Sequence, residues 1–241
     1  MRFKIKRFDG DNSKFDIFEV KLKPHMSILE ALFQIQDEED STIAFRYSCR
    51  GAVCGSCAMM INKKLRLACR TQICEVMGEK VLSISAYGPI AKPEIKMGNE
   101  ILIEPLPNLP LIKDLIVDMK PFFKHYEYVK PWFEGDPKIS KENSMSQEEV
   151  KKVDKYAACI QCGLCYGACP VSLRDKNYLG PAALAKAWRF YADSRYQNGD
   201  QMLARVDRSQ GVWHAIMFIV ALKYAPNKCL QRMPSQDPLE Q

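Results

Sequence analysis

The feature that most constrains this chain is the run Cys159-Ile-Gln-Cys-Gly-Leu-Cys-Tyr-Gly-Ala-Cys-Pro170. It reads C-x2-C-x2-C-x3-C-P, the spacing of a bacterial-type iron–sulfur ligand run. Three thiols two residues apart wrap a turn of chain around one corner of an iron–sulfur cube. The fourth, one helical turn on, is expected to point elsewhere and serve a different cluster. Pro170 has no N–H and is expected to stop the turn from continuing. Cysteines packed this densely leave little room for unstrained disulfides, and zinc motifs usually come as two separated C-x2-C pairs.

The sequence has 241 residues, 10 cysteines and a net charge of +6 with both signs interspersed. That length allows one large or two ordinary domains. The mixed charge suggests neither nucleic acid nor another polyanion as a partner. The chain opens Met1-Arg-Phe-Lys-Ile-Lys, which alternates like a strand and lacks the apolar stretch of a secretory signal. Clustered cysteines behind such a start argue for metal in a reducing compartment rather than disulfides. The longest apolar run, residues 215–222, is far shorter than the roughly 18 residues that cross a bilayer. The chain is therefore expected to be soluble, or peripheral through a partner.

Residues 2–8 alternate with Phe3, Ile5 and Arg7 on one face, residues 16–22 alternate again, and the turn at residues 9–12 makes a hairpin of them. Ser27 and Glu30 form a capping box for a helix burying Ile28, Leu29, Leu32, Phe33 and Ile35. The acidic residues 37–40 that follow are expected to be a solvated loop. Next comes Cys49-Arg-Gly-Ala-Val-Cys54-Gly-Ser-Cys57, with Cys69 beyond it: C-x4-C-x2-C…C, the plant-type [2Fe–2S] spacing. The small residues Gly51, Ala52, Gly55 and Ser56 suit a tight loop with positive φ angles and N–H groups aimed at sulfur. Arg50 is expected to be a surface or partner contact. Residues 58–61 and 65–69 read as a second hairpin, putting Cys69 on a strand. Cys74 reads as a packed core thiol. Hairpin, helix, cluster loop and hairpin together predict a β-grasp ferredoxin, an α+β fold.

Residues 75–100 carry no assignable role, residues 100–104 read as the closing strand, and Pro105–Pro110 as a rigid exit. Residues 112–119 have helical spacing. Phe122, Phe123, Tyr126, Tyr128 and Trp132 are expected to pack between two domains rather than to stack on bases. Residues 136–144 read as a polar linker. Ser146 and Glu149 form a second capping box, opening the helix that leads to Cys159.

In this order the two cysteine motifs resemble one family closely, the iron–sulfur subunits of succinate dehydrogenase and quinol:fumarate reductase. The resemblance covers nearly the whole chain. It is carried by Ser48-Cys-Arg-Gly51, Cys54-Gly-Ser-Cys57, Ala68-Cys-Arg70, residues 105–118, the Cys159 run, Leu179-Gly-Pro-Ala-Ala183, Arg189-Phe190, Asp193-Ser-Arg195 and Gly211-Val-Trp213. The resemblance implies a β-grasp plant-type ferredoxin domain over residues 1–105. An all-α bacterial-type dicluster ferredoxin domain follows over residues 106–241. It implies that Cys49, Cys54, Cys57 and Cys69 hold a [2Fe–2S] cluster next to a flavin. Cys159, Cys162 and Cys165 would hold a [4Fe–4S] cluster, and Cys169 would belong to a [3Fe–4S] cluster beside a quinone. The implied partners are an FAD-containing flavoprotein that oxidises succinate or reduces fumarate and a quinone-binding membrane anchor, with or without haem. The implied setting is the cytoplasmic face of a bacterial inner membrane, in the tricarboxylic acid cycle or anaerobic respiration. No acid, base or nucleophile is needed in this subunit, so His25 and His125 are expected to be surface or packing residues. Two other readings compete: the subunit of a soluble, thiol-linked fumarate reductase, and a zinc-stabilised interaction module.

The chain departs from the family in two places. Residues 75–100 are longer than expected and suggest a surface hairpin touching a partner. After Trp213, where the family has three more cysteines, this sequence has Ala215, Ala221 and Ala225-Pro226. As written, the [4Fe–4S] cluster lacks one ligand and the [3Fe–4S] cluster two. His214-Ala215, Val220-Ala221 and Tyr224-Ala225 can each conceal TGC, a Cys codon, one frame over. The shifted frame can restore three cysteines and a Cys-Pro at the family spacing, so the residues from about His214 onward are read as a frameshift.

Overall fold

The computed structural model describes residues 1–77, 80–81, 95–96, 99–136, 138 and 141–213. β1 (Arg2–Phe8) and β2 (Ser13–Glu19) form the first hairpin. β3 (Ala58–Ile61) and β4 (Lys64–Leu67) form the second. β7 (Glu100–Glu104) runs between them, parallel to β1 and antiparallel to β3, giving a five-stranded sheet of order β2-β1-β7-β3-β4. The β1 alternation puts Phe3, Ile5 and Arg7 inward, as expected. α1 (Ile28–Glu38) packs on this sheet through Ile28, Leu29, Ala31, Leu32 and Ile35. Its capping box is complete, with Ser27 Oγ accepting from Glu30 N–H and the Glu30 carboxylate accepting from Ser27 N–H.

Cys74 departs from expectation. It lies exposed on α2 (Ile73–Val76), a single turn whose apolar residues Ile73 and Val76 take the core positions. β5 (Lys80–Val81) pairs antiparallel with β6 (Ile95–Lys96), as a hairpin in this stretch requires; residues 82–94 lie outside the described residues.

Residues 112–119 are not helical. β8 (Leu111–Lys113) and β9 (Ile116–Val117) make a small hairpin instead, turning at Asp114, whose φ is +46°. The helix starts later, as α3 (Lys120–Tyr128), with a proline in its first turn. Asp114 explains the change. Its buried carboxylate accepts from Arg7 Nε at 3.0 Å, from Phe8 N–H at 3.0 Å and from Ala44 N–H at 2.9 Å, bonds a helix would forfeit. The Arg7 guanidinium also pairs with Asp16 and Asp40 and donates to Thr42 Oγ1. Asp40 is thus part of a structural charge network, not of a solvated acidic loop.

Hydrogen bonds from the Thr42 hydroxyl, the Arg7 guanidinium and the Thr42 N–H hold the Asp40 carboxyl down at about 2, against an ordinary value of 3.8. A carboxyl depressed on folding stabilises above its unfolded pKa, and the benefit disappears as pH falls through the folded one. The expected result is that Asp40→Asn and the parent differ in thermal stability at pH 6 and converge between about pH 4 and pH 2. A gap that persists unchanged at pH 2 would refute this placement of Asp40.

The helical part follows. α4 (Gln147–Ala157) opens with the second complete capping box, Ser146 with Glu149. α5 (Leu164–Ala168), α6 (Pro170–Arg174), α7 (Gly180–Tyr191) and α8 (Gly199–Val206) come after it. Among the described residues, 129–146 contain no helix or strand, in keeping with a linker. α7 is central, packing on α3, α4, α5 and α8. The sheet's apolar core continues without a break through Leu106, Phe122 and Tyr126 into Leu164, Cys165 and Tyr166. Phe122 meets Tyr166 edge to face at 6.0 Å. Of the aromatic stretch, only Phe122 and Tyr126 are buried, and they provide the expected packing between the sheet and helical parts. A second core lies between α7 and α8 and includes Cys169, Tyr178 and Phe190. No helix among the described residues is long and apolar enough to cross a membrane.

Candidate cluster-binding sites

The first cysteine loop adopts the backbone that its small residues permit. Arg50, Ala52 and Gly55 have φ of +56°, +59° and +72°. These turns aim donors at sulfur. The N–H groups of Gly51, Val53 and Cys54 reach Cys49 Sγ at 3.3, 3.3 and 3.2 Å, and the Cys49 N–H reaches Cys54 Sγ at 3.5 Å. Across the loop the Cys69 N–H donates to Cys57 Sγ at 3.5 Å. Such bonds favour the thiolate, the form that binds iron. The Ser56 hydroxyl, the Cys49 N–H and the Ser56 N–H bring the Cys54 thiol down to about 6, whereas burial drives Cys57 up to about 12. N–H···S bonds link Cys49 with Cys54 at the surface and Cys69 with Cys57 toward the core, and Cys54 also acts on Cys57. Cys69 sits in the turn just past β4 rather than on the strand. Among the described residues no three His, Cys, Asp or Glu side chains converge to hold a single ion.

Arg50 is exposed, as expected, yet not free. Its guanidinium lies 5.3 Å from the Phe33 ring and 5.7 Å from the Tyr47 ring, tying the loop to α1 by cation–π contact.

In the second motif, Gln161 and Gly163 have φ of +55° and +75°, and α5 begins at once with Cys165 on its buried face. Burial, and then the neighbouring thiols of Cys162, Cys159 and Cys169, push Cys165 well above the ordinary thiol range. Cys169 is extended. It closes α5, and Pro170 then opens α6, so the proline starts a new helix as well as ending a turn. Cys165 belongs to the core shared with the sheet, Cys169 to the core between α7 and α8.

Two residues that the motifs did not flag hold this second site. Asn108, at φ +68° in the proline-rich exit, donates its amide to the carbonyls of Tyr166, Gly167 and Cys169 at 3.0, 2.9 and 2.9 Å. It satisfies the C-terminal carbonyls of α5. A lone Asn among prolines, tolerant of a left-handed backbone, was the available signal. Replacing Asn108 with Leu is expected to cost about 1–3 kcal/mol and to raise hydrogen exchange across residues 166–169. An unchanged melting temperature and exchange pattern would show the tether to be dispensable.

The second is Lys186, half-buried in a cavity of about 460 Å³ lined also by Phe133, Ala157, Arg189, Phe190 and Arg195. Burial lowers its pKa, with the Cys159 thiol acting in the opposite direction. Arg189 and Arg195 are held by the fully buried Asp193 carboxylate, which gives these sequence-flagged residues a structural role. His25 is exposed, and His125 is half-buried with its pKa lowered by burial; both are packing or surface groups as expected.

Residues 2–124 match the family model of a 2Fe-2S iron-sulfur cluster binding domain. The fumarate reductase iron-sulfur subunit of Haemophilus influenzae is 32% identical over 209 residues, covering 81% of this chain and 73% of that protein. Its counterpart from Mycobacterium tuberculosis is 34% identical over 202 residues, covering 83% and 74%. The chain belongs to the fumarate reductase iron–sulfur subunits. A chain of the Mycobacterium smegmatis Sdh1 complex in the apo form shares the fold, with a TM-score of 0.71 at 20% identity, over 97% of this chain and 87% of that one. As a member of this family the chain is an electron-transfer subunit of a redox enzyme, built to hold iron–sulfur clusters.

Proposed function

We propose that this subunit carries electrons between an FAD-containing succinate/fumarate subunit and a quinone-binding membrane subunit, haem-containing or not. In this reading residues 1–105 are the β-grasp [2Fe–2S] domain and residues 106–241 the helical dicluster domain. The observation that carries the reading is the gathering of Cys49, Cys54, Cys57 and Cys69 through N–H···S bonds, Cys49 with Cys54 and Cys69 with Cys57, inside the segment matching a 2Fe-2S domain. Those four thiols would hold the [2Fe–2S] cluster. Cys159, Cys162 and Cys165 would hold the [4Fe–4S] cluster, and Cys169 the [3Fe–4S] cluster. Bound there, the clusters supply one-electron redox chemistry. The chain positions and tunes: N–H groups stabilise the Cys49 and Cys54 sulfurs, and burial excludes water from Cys165 and Cys169. The catalytic dicarboxylate site belongs to the flavoprotein. The chain sits peripherally on the cytoplasmic face of the inner membrane, held by its anchor partner.

Iron and acid-labile sulfide analysis with redox-titrated EPR tests this reading, the expected outcome being three clusters of three types. Zinc in place of iron and sulfide would overturn it in favour of an interaction module. Purification without a membrane subunit would favour the soluble, thiol-linked enzyme.

The proposal extends to the tail, which lies outside the described residues. Cys169 needs partners, and Ala215, Ala221 and Ala225 stand where the family has cysteines. The residues from about His214 onward are proposed to be a frameshifted reading of a segment supplying two [3Fe–4S] ligands and one [4Fe–4S] ligand. The intact mass of the natural protein is expected to differ from that of these 241 residues. A matching mass would sink the idea.

A further inference from the structure

We infer that Gly55, in the first cysteine loop, forms part of the wall of the second site and positions Cys162. Gly55 is buried at φ +72°, and a Cβ there would lie 2.8 Å from both Cα and Cβ of Cys162 and 3.1 Å from its backbone N. Those are closer approaches than carbon atoms tolerate. The atoms met are backbone and Cβ, so no rotamer change relieves the clash. The neighbouring glycines of the two motifs differ. Gly51 in the same loop meets only the Cys49 carbonyl, at 3.7 Å. Gly163, beside Cys162, faces the tips of Met119 and Leu106 at 3.0 and 3.2 Å, flexible ends that can move. Among the described glycines of the two cysteine motifs, Gly55 alone sets one loop against the main chain of the other.

The Cys162 Cβ carries the sulfur, so whatever displaces that Cβ displaces the thiol. Cys162 and Cys57 also pack against one apolar core, together with Cys165 and Ala52. The two sites therefore share a rigid wall, and a change in the first loop is transmitted to the second without touching any cysteine. This rests on the proposed assignment of Cys162 as a cluster ligand.

The test uses the assembled natural complex with Gly55→Ala, Gly55→Asn and, as control, Gly51→Ala. Asn accepts a left-handed backbone, so it separates the Cβ clash from strain at φ. EPR is recorded for each centre, with iron and sulfide content. In both Gly55 variants the [2Fe–2S] signal is expected to persist while the [4Fe–4S] signal falls several-fold or changes line shape. Gly51→Ala, whose added Cβ stays away from Cys162, is expected to leave the [4Fe–4S] signal as in the parent. Gly55→Ala serves if the larger side chain prevents folding. A [4Fe–4S] signal unchanged in the Gly55 variants, or loss of the [2Fe–2S] signal alone or of both signals together, overturns the inference. A parent complex without any [4Fe–4S] signal overturns the ligand assignment itself, and the inference with it.

Discussion

Cys57→Ser is expected to abolish or strongly shift the [2Fe–2S] EPR signal and to stop electron flow toward the flavin side, whereas Cys74→Ser leaves both unchanged. The contrast comes from position. Cys57 is 3% exposed, faces Cys69 and receives the Cys69 N–H on its sulfur. A serine there presents a harder, smaller donor at the buried end of the loop. Cys74 is exposed on α2, and its Sγ hydrogen-bonds Gln72 Oε1 at 3.4 Å, so serine keeps that contact. Equal loss of signal in the two variants would mean that the ligand set is wrongly assigned.

Asp114→Ala is expected to cost about 3–5 kcal/mol, the usual penalty for breaking a buried ion pair from one side. The carboxylate is 3% exposed and accepts three hydrogen bonds, from the Arg7 side chain and from the backbones of Phe8 and Ala44. Without it two backbone donors and part of a guanidinium stay buried and unpaired. For a chain of this size the melting temperature of the holoprotein is expected to fall by on the order of 10 °C. Asp16→Ala removes a carboxylate from the same arginine, but one 27% exposed, and should cost about 0–1 kcal/mol. Similar melting shifts for the two variants would show that Asp114 acts only as a surface charge.

How far the sequence could be read depended on the range of the interaction. The capping boxes at Ser27 and Ser146 were legible because cap, N3 residue and first turn lie within four positions, and both form as read. The cysteine runs were legible because their spacing and small intervening residues encode the loop. Residues 112–119 were misread because their apolar spacing satisfies a helix locally. What decides against it is the bond from Asp114 to Phe8, 106 residues away, and to Ala44, 70 away. Cys74 was assigned to the core by residue type alone, while Ile73 and Val76, its neighbours in a single turn, took the buried positions.

Taken alone, the sequence determined which atoms are offered to iron and in what order, since ligand spacing is a property of consecutive residues and survives any arrangement of the rest of the chain. Tertiary structure decided which thiols face each other, and that Cys165 and Cys169, four residues apart, belong to different cores. It also decided that Asn108 closes α5 and that Gly55 rests on Cys162. These relations join segments separated by the whole fold. They exist only once the sheet, the proline-rich exit and α5 have packed together, because contacts at van der Waals distance depend on where the cores place each backbone.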